Sequence, residues 1–235
     1  LIQTQEEANA YNAQYDLSYL SGQKWTPGDV KYRDLNGDNK INNGTNVLGD
    51  MGDVTIIGNT TPRYEYTLNG SISWKGISLS VMFQGVGKRD WNPGGAVYFW
   101  GCGPYAQVTV FKEHLDYWRE DNKGAYYPKP YTAGAGAIGQ YRNKTSQTVD
   151  RYLQNAAYCR LKNLTLSYDL PSAWVKKVGF SKTQVFFSGE NLLTFTKLAG
   201  MFDPEAVFTG NGYTSEGGKN YPMNRVLSIG LIVNL

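Results

Sequence analysis

The chain has 235 residues and a formal net charge of +3, and its lysine and arginine residues form no dense block. This spread excludes the basic patch that nucleic-acid binding needs. No run of about 18 apolar residues occurs, which excludes a transmembrane helix but leaves the strands of a barrel, each only about 9–11 alternating residues long.

The first 60 residues carry little regular pattern, apart from a short helix or loop predicted over residues 1–25. The stretch from residue 27 to residue 62 is dense in Asp, Asn and Gly, which is typical of loops and turns. The chain begins with neither an initiator methionine nor a signal peptide, so we expect it to be an internal segment of a longer protein.

The sequence "DLNGDNKIN" in this loop has the ligand spacing of an EF-hand, with oxygen donors at positions 1, 3 and 5 and a carbonyl at position 7. Position 6 is Asn39 rather than Gly, and position 12 is Thr45 rather than Glu, so Asp50 or Asp53 would have to replace the missing ligand. The alternative is a set of Asx turns, in which the side chains accept bonds from their own backbone. The candidate Ca²⁺ ligands are Asp34, Asn36, Asp38 and Lys40.

Apolar and polar residues alternate in "YEYTLNGSISWKGISLSVMFQGV", which predicts a hairpin of two strands around a tight "KG" turn. The same alternation returns in "YCRLKNLTLSYDLPS", "TQVFFSGENLLTFT" and "NRVLSIGLIVNL". One helix is predicted, in "QVTVFKEHLDYWRED". The predicted strands lie at about 63–75, 77–87, 156–170, 183–196 and 224–235, with "VTIIG" as a sixth strand if it pairs.

The connections between the predicted strands are either short or very long. "KG" and "PSAWVKKVGFS" are short, whereas the predicted external loops cover about 1–60, 88–150 and 198–222. Outer-membrane barrels combine short periplasmic turns with long extracellular loops, so an all-β, antiparallel transmembrane barrel is favoured. Because the smallest such barrels have about eight strands, we expect this chain to be part of a larger one. The alternative is a soluble carbohydrate-binding β-sandwich, whose apolar faces would bury each other.

The long loops are rich in aromatic residues, which stack on sugar rings, anchor protein partners or pack a loop against itself. The sequence leaves these three uses open. The candidate substrate- or partner-binding residues are Trp91, Tyr98, Trp100, Tyr105, Trp118 and Tyr127.

No catalytic motif is present, and we expect no enzymatic activity. His114, the only histidine, has no nucleophile or second metal ligand near it in the sequence. Asp203 and Glu205 in "FDPE" are the only tempting carboxylate pair, but their adjacent positions in a loop do not give the geometry of a glycosidase. "GAGAIG" matches a dinucleotide-binding fingerprint without the strand that should precede it.

The chain has two cysteines, Cys102 and Cys159, and their spacing is not that of a metal or redox motif. A disulfide between them is left open by the sequence.

Six motifs of this sequence occur together, and in the same order, in one protein family. They are "PGDVKYRDLNGDNKI", "IIGNTTPRYEYTLNGSISWKG", "DYWREDNKGAYYPKP", "YCRLKNLTLSYDLP", "VFFSGENLLTFTKLAGMFDPE" and "YPMNRVLSIGLIVNL". Together they resemble the C-terminal portion of the SusC/RagA family, the TonB-linked outer-membrane transporters of Bacteroidetes. The resemblance covers nearly the whole chain.

The resemblance implies an outer-membrane barrel of about 22 strands, to which this chain would contribute the C-terminal strands and long extracellular loops. A plug domain, which this sequence lacks, would couple the transporter to TonB through the missing N-terminal part. A SusD-like surface lipoprotein would act as a lid over a glycan or peptide substrate. The last residue is Leu235, where these barrels commonly end in an aromatic residue.

In such a barrel, one face of each strand would contact lipid and the other would surround the lumen or bond to the plug. We expect Arg160 and Lys162 to share the face of Leu164 and to lie beyond the hydrocarbon band, because a charge at mid-membrane costs about 2–4 kcal/mol. The expected lipid-facing residues are Leu68, Ile72, Leu79, Val81 and Phe83, with Tyr64, Tyr66 and Trp74 nearer the interfaces. The expected lumen-lining residues are Glu65, Asn69, Gln84 and Glu190.

Overall fold

The computed structural model describes residues 1–20, 23–93, 112–131, 144, 147–207 and 221–235. Their contacts form two units. Unit 1 contains the described residues of Leu1–Gly58 and Asn92–Leu153, and unit 2 contains those of Asn59–Trp91, Gln154–Thr209 and Asn220–Leu235. No helix in these residues is long and apolar enough to cross a membrane.

Unit 1 begins with helix α1, Gln5–Gln14. Thr4 caps this helix: its hydroxyl oxygen accepts the Glu7 N–H at 3.1 Å, and the Glu7 carboxylate accepts the Gln3 N–H at 2.8 Å. These bonds satisfy backbone donors that have no partner inside the helix. The buried face of the helix joins one apolar cluster. The cluster consists of Ile2, Ala8, Tyr11, Leu17, Leu20, Trp25 and Ile41.

The helix predicted in "QVTVFKEHLDYWRED" is only a single 3-10 turn, Lys112–Leu115, in the described part of that segment. Beyond this turn the chain doubles back on itself. The Trp118 N–H donates to the Tyr127 carbonyl, and the Tyr127 N–H donates to the Asp116 carbonyl, each at 3.0 Å. The helix prediction is therefore wrong for residues 116–121, since their backbone groups pair across the chain. Residues 107–111 lie outside the described residues.

The described part of unit 2 contains all of the strands. They are β1 Arg63–Trp74, β2 Ile77–Lys88, β3 Asp90–Trp91, β4 Gln154–Asn155, β5 Tyr158–Asp169, β6 Lys182–Thr196 and β7 Val226–Asn234. The five long strands form one antiparallel sheet in the order β1-β2-β5-β6-β7, and β3 pairs with β4. Helix α2, Ser172–Val175, and a 3-10 turn at Lys176–Val178 connect β5 to β6. The segment "VTIIG" is not a strand.

The predicted hairpin is formed by β1 and β2. Its turn consists of Lys75 and Gly76, whose φ angles are 48° and 86°. Two left-handed residues in a two-residue loop give the turn that matches the twist of the flanking strands. This turn places Trp74 opposite Ile77 and so sets the register of the whole pair.

The register aligns side chains of like character in rows across all five long strands. One row consists of Ile72, Leu79, Leu166, Phe187 and Ile229. The neighbouring row consists of Ser71, Ser80, Thr165, Ser188 and Ser228. Because successive side chains on a strand point to opposite faces, the sheet has one apolar face and one polar face.

Glycines make room for two aromatic rings on the sheet. Gly85 pairs with Tyr66, and Gly230 pairs with Phe186. A Cβ atom added to Gly85 would overlap the Tyr66 ring and the carbonyl oxygen of Tyr158. A ring can turn aside, but a ladder carbonyl can move only if the pairing of the strands is disturbed.

We expect Gly85→Ala to lower the free energy of unfolding by about 1–3 kcal/mol, the usual cost of overpacking. Gly70→Ala is the matched control, because a Cβ there would meet only the Val81 side chain, at an ordinary 3.6 Å. The measurement is the temperature at which each detergent-solubilised variant loses its folded mobility on an unboiled gel. Equal temperatures for the two variants would contradict this interpretation.

Candidate membrane-spanning sheet and its polar cluster

The apolar face of the five-stranded sheet is ordered along the strands as well as across them. Trp74 and Tyr168 lie in its first row, and Tyr66 lies in its last. The three rows between contain only Leu, Ile, Val, Phe and Gly. The middle row consists of Gly70, Val81, Leu164, Gly189 and Leu227. An apolar band between rows with Trp and Tyr is the distribution found on lipid-facing barrel surfaces.

This apolar face is exposed in unit 2. Ile72 is 67% exposed, Leu227 61% and Ile229 82%. A sandwich would cover such a face with a second sheet, but the described residues contain no second sheet of comparable size. Removing each large apolar side chain from water is worth about 1.5–3 kcal/mol. A continuous apolar surface of this kind indicates contact with lipid or with other protein.

All four residues predicted to line a lumen lie on the opposite, polar face. Asn69 and Glu190 belong to one row, Gln84 to the next and Glu65 to the one after that. A row of small hydroxyl side chains crosses the polar face near the "KG" turn. Charged side chains lie on both sides of this row: Asp169 and Lys182 at the turn end, and Glu65 and Arg160 toward the long connections.

The polar face carries a cluster of four charged residues at the end with the long connections. Arg160 is only 2% exposed; its Nη2 lies 2.8 Å from Asp203 and its Nε donates to the Thr194 hydroxyl at 2.8 Å. Its Nη1 lies 3.2 Å from Glu205 Oε1, an ion pair without hydrogen-bond alignment. Lys162 Nζ lies 2.9 Å from the other oxygen of Glu205. Each cation of the cluster therefore contacts at least one carboxylate.

The expectation that Arg160 shares the face of Leu164 is wrong. Strand β5 has a bulge at Lys162, where its register against both neighbouring strands shifts. A bulge inserts one residue and so reverses the alternation beyond it. Arg160 consequently lies opposite Gln84 and Thr194, on the polar face.

The two carboxylates of the cluster belong to a segment that we call the strap, residues 198–207. Its apolar side chains are buried, and Phe202 meets Trp91 edge to face with 4.7 Å between ring centroids. Asp203 also accepts the N–H groups of Glu205 and Met223, at 2.9 and 3.2 Å. The strap is thus held both by apolar packing and by the charged cluster.

Asp203 remains ionised at neutral pH although it is partly buried. Burial by itself would raise its pKa, but the hydrogen bond and charge of Arg160, together with two backbone N–H groups, hold the pKa below its ordinary value. Because the pKa of Asp203 is lower in the folded state, its ionised carboxylate contributes fully to stability when the pH is above the ordinary pKa of an aspartate. That contribution is lost as the pH falls through the lowered pKa.

We expect Arg160→Gln to destabilise the attachment of the strap by about 3–5 kcal/mol, because it leaves Asp203 buried without its partner. Lys182→Gln is the control: it breaks an exposed ion pair with Asp169, 3.1 Å long, and should cost less than about 1 kcal/mol. Limited proteolysis followed by mass spectrometry measures cleavage within residues 198–207. Equal cleavage of the strap in the two variants would show that the cluster does not hold it.

The predicted aromatic binding residues that the structure describes are buried. Trp91 packs on Phe202, Trp118 donates its indole N–H to Gln3 at 3.3 Å, and Tyr127 packs edge to face on His114 at 5.1 Å. Packing within the protein accounts for the positions of these three. Tyr98, Trp100 and Tyr105 lie outside the described residues, as do Cys102 and residues 134–139.

The candidate Ca²⁺ loop forms Asx turns. Asp34 accepts the N–H groups of Gly37 and Asn39, at 2.6 and 2.9 Å, and Asp38 accepts that of Lys40 at 2.8 Å. Asn36 behaves in the same way, accepting the next-but-one N–H at 3.1 Å. Within the described ranges, no group of three or more His, Cys, Asp or Glu side chains is placed to hold a metal ion. Calcium binding stays a prediction.

The Asp53 carboxylate accepts hydrogen bonds from two backbone N–H groups of this loop. One of its carboxylate oxygens accepts the Leu35 N–H at 2.7 Å, and the other accepts the Asn42 N–H at 2.9 Å. These two backbone groups lie near the two ends of the candidate Ca²⁺ loop. Asp50, the other acidic residue considered as a replacement, accepts the N–H and the hydroxyl of Thr45 at 3.1 and 2.7 Å. Both acidic residues therefore contact the candidate Ca²⁺ loop.

Unit 1 also contains a buried ion pair that the sequence analysis did not identify. Lys144 Nζ lies 2.8 Å from Asp29 Oδ2 and donates to the Lys24 carbonyl and to the Tyr131 hydroxyl. Burial lowers the pKa of Lys144, and the charge of Asp29 opposes that shift. The two charges have several partners each, and removing either one would leave the other buried without its counter-charge.

Comparison with known proteins gives relatives of one kind, although no family model matches the sequence. TonB-dependent receptor P3 of Formosa agariphila is 29% identical over 219 residues, which are 90% of this chain and 19% of that protein. TonB-dependent receptor P26 of the same bacterium is 26% identical over 212 residues, 88% of this chain and 19% of the relative. The chain thus spans about a fifth of the length of the curated relatives it matches.

Solved structures agree with the curated relatives. The RagAB peptide importer in its open-open state matches 80% of this chain and 18% of its own, with 29% identity and a TM-score of 0.55. The closed-closed state matches 79% of this chain and 18% of its own, with 28% identity and a TM-score of 0.56. The chain is related to the TonB-dependent receptors. The resemblance predicted from the six motifs is confirmed.

The charged cluster was not foreseen from the sequence. Arg160 and Lys162 are two residues apart in "RLK", and Asp203 and Glu205 are two residues apart in "DPE". This equal spacing of opposite charges was a usable signal, since two such pairs can meet in register. The bulge that brings Arg160 and Lys162 into contact with Asp203 and Glu205 has no comparable sequence signature.

Proposed function

We propose that this chain forms part of the wall of an outer-membrane barrel that imports nutrients. The observation that carries the proposal is the exposed apolar face, whose middle rows contain no polar side chain. From Tyr66 to Trp74 the face extends over eight residue steps, about 27 Å along the strand at about 3.4 Å per step. With a tilt of about 35–45°, this corresponds to a height of about 20 Å, close to the apolar band of about 25 Å in known barrels.

The proposed barrel has more strands than this sheet. In the described residues β1 and β7 each pair on one side only, and an unpaired strand edge in lipid costs several kcal/mol for each backbone group. Further strands would therefore continue the sheet on both sides, up to the roughly 22 strands of plugged transporters. The turn at Lys75 would face the periplasm and the long connections the exterior, as in other barrels of this type.

The proposed activity is TonB-dependent uptake rather than catalysis. The names of the relatives, receptors and a peptide importer, support this role. By the family resemblance, TonB would act through a plug domain, and a SusD-like lipoprotein would cover a peptide or glycan in an outer membrane of the Bacteroidetes type. Glu65, Asn69, Gln84 and Glu190 are proposed to line the lumen. Trp91, Trp118 and Tyr127 would contribute to the external loops.

We expect Leu164→Arg to prevent insertion of the full-length protein into the outer membrane, because a charge on the middle lipid-facing row costs about 2–4 kcal/mol. Thr165→Arg is the matched control, since the neighbouring residue lies on the polar face. The measurement is recovery of each variant in the outer-membrane fraction as a heat-modifiable species. Insertion of Leu164→Arg as efficient as that of Thr165→Arg would overturn the proposed orientation of the sheet.

We also propose that the loop of residues 34–45 binds Ca²⁺ weakly, with Asp53 as the substitute ligand. Its incomplete donor set suggests a dissociation constant of about 10⁻⁴–10⁻³ M, as for weak extracellular sites. Asp38→Asn should weaken binding measured by isothermal titration, while Asp121→Asn, which removes an exposed carboxylate paired with Arg119, should not. Absence of any heat signal with Ca²⁺ after EGTA treatment of the wild-type protein would refute the site.

A further inference from the structure

Unit 1 contains a cavity of about 380 Å³ that the proposed transport role does not use, although its lining shares Asp53 with the proposed Ca²⁺ site. This volume lies within the range of pockets that bind small molecules, about 300–1,000 Å³. Branched aliphatic side chains supply much of its lining. They include Leu20, Val30, Leu35, Ile41, Val54 and Ile57.

The lining has a buried floor and an accessible mouth. Leu20, Val30 and Ile41 are buried within unit 1. Val54 is 46% exposed and Ile57 36%. A ligand that fills the cavity would cover these two side chains, and that burial favours binding by the hydrophobic effect.

Three cations also line the cavity, and one of them is available to a ligand. Lys31 pairs with Glu7 at 3.0 Å, and Arg151 donates to the backbone carbonyls of Ala125 and Tyr126. Arg33 is exposed, and no hydrogen bond or ion pair joins its guanidinium to any residue that the structure describes.

The carboxylates of the lining are already engaged. Both oxygens of Asp53 accept backbone N–H groups, from Leu35 and Asn42. Asp150 accepts the N–H of Arg151 at 2.8 Å. Neither carboxylate forms an ion pair with Arg33 in the part of the chain that the structure describes. The positive charge beside an aliphatic wall therefore defines the chemistry of a ligand.

We propose that this cavity binds a short branched-aliphatic carboxylate, with its apolar body against the aliphatic wall and its carboxylate on Arg33. A guanidinium matches a carboxylate with two parallel hydrogen bonds. The aliphatic part of the lining favours an apolar ligand body, and the exposed Arg33 favours an anionic group on it. Binding at this site does not depend on transport, so its failure would leave the membrane role of unit 2 untouched.

The test is isothermal titration of the detergent-solubilised full-length protein with N-acetyl-leucine, and with N-acetyl-leucine amide as the uncharged counterpart. We expect the acid to bind with a dissociation constant of about 1 mM or tighter and the amide at least about tenfold more weakly. Arg33→Gln should weaken binding of the acid by about tenfold and leave binding of the amide unchanged. Lys123→Gln, which removes an exposed charge of unit 1 outside the cavity lining, should change neither.

A second variant separates the apolar contact from the charge. Ile57→Ser should weaken the acid and the amide by the same factor, because it removes wall surface and no charge. N-acetyl-Ala-Ala-Leu distinguishes two sources of the ligand: binding at least as tight as that of N-acetyl-leucine identifies the carboxyl end of a peptide, and weaker binding identifies a free small acid. Equal binding of acid and amide, no loss with Arg33→Gln, or no binding of the acid at all would overturn the proposal.

Discussion

The pairing register of the five long strands is the constraint on which the rest of unit 2 depends. A slip of one residue in any pair would send every side chain of that strand to the opposite face. The Lys75–Gly76 turn fixes this register at one end, because only a two-residue left-handed loop places Trp74 opposite Ile77. Rows of like side chains then follow from the pleat alone.

The bulge at Lys162 shows how a local exception to that register serves the polar face. Without it, strict alternation would place Arg160 on the apolar face, beside the present neighbours of Cys159, which are Gly85 and Phe195. With it, the guanidinium is buried against Asp203 and Glu205, and the strap is anchored where the strands meet the long connections. The same irregularity thus removes a charge from the apolar face and adds an ionic attachment to the apolar packing that holds the strap.

The sequence was sufficient for features that depend on period and turn chemistry, and insufficient for those that depend on distant contacts. Alternation located the strands, and "KG" located the hairpin. The two-residue alternation could not reveal the bulge. In the sequence, one inserted residue looks like the end of the alternation and not like a change in the face to which the side chains point. Nor could the alternation show that Trp118 and Tyr127 are buried, since aromatic residues in loops suit exposed and packed positions equally. Arg33 beside an aliphatic cavity depends on packing between segments that are far apart in sequence.

A sheet of this composition has only one workable orientation in a membrane. With the apolar face outward, its middle rows present Leu, Ile, Val, Phe and Gly to lipid, and the hydroxyl row faces a wet interior. The reverse orientation would put Glu65 and Glu190 against hydrocarbon and would cost up to a few kcal/mol for each charge, depending on its depth. It would also bring the partly buried cluster around Arg160 to the lipid surface, where its carboxylates would have no water to complete their solvation. The apolar rows and the charged cluster therefore favour the same orientation. The apolar rows favour contact with lipid, and the charged cluster would be destabilised by it.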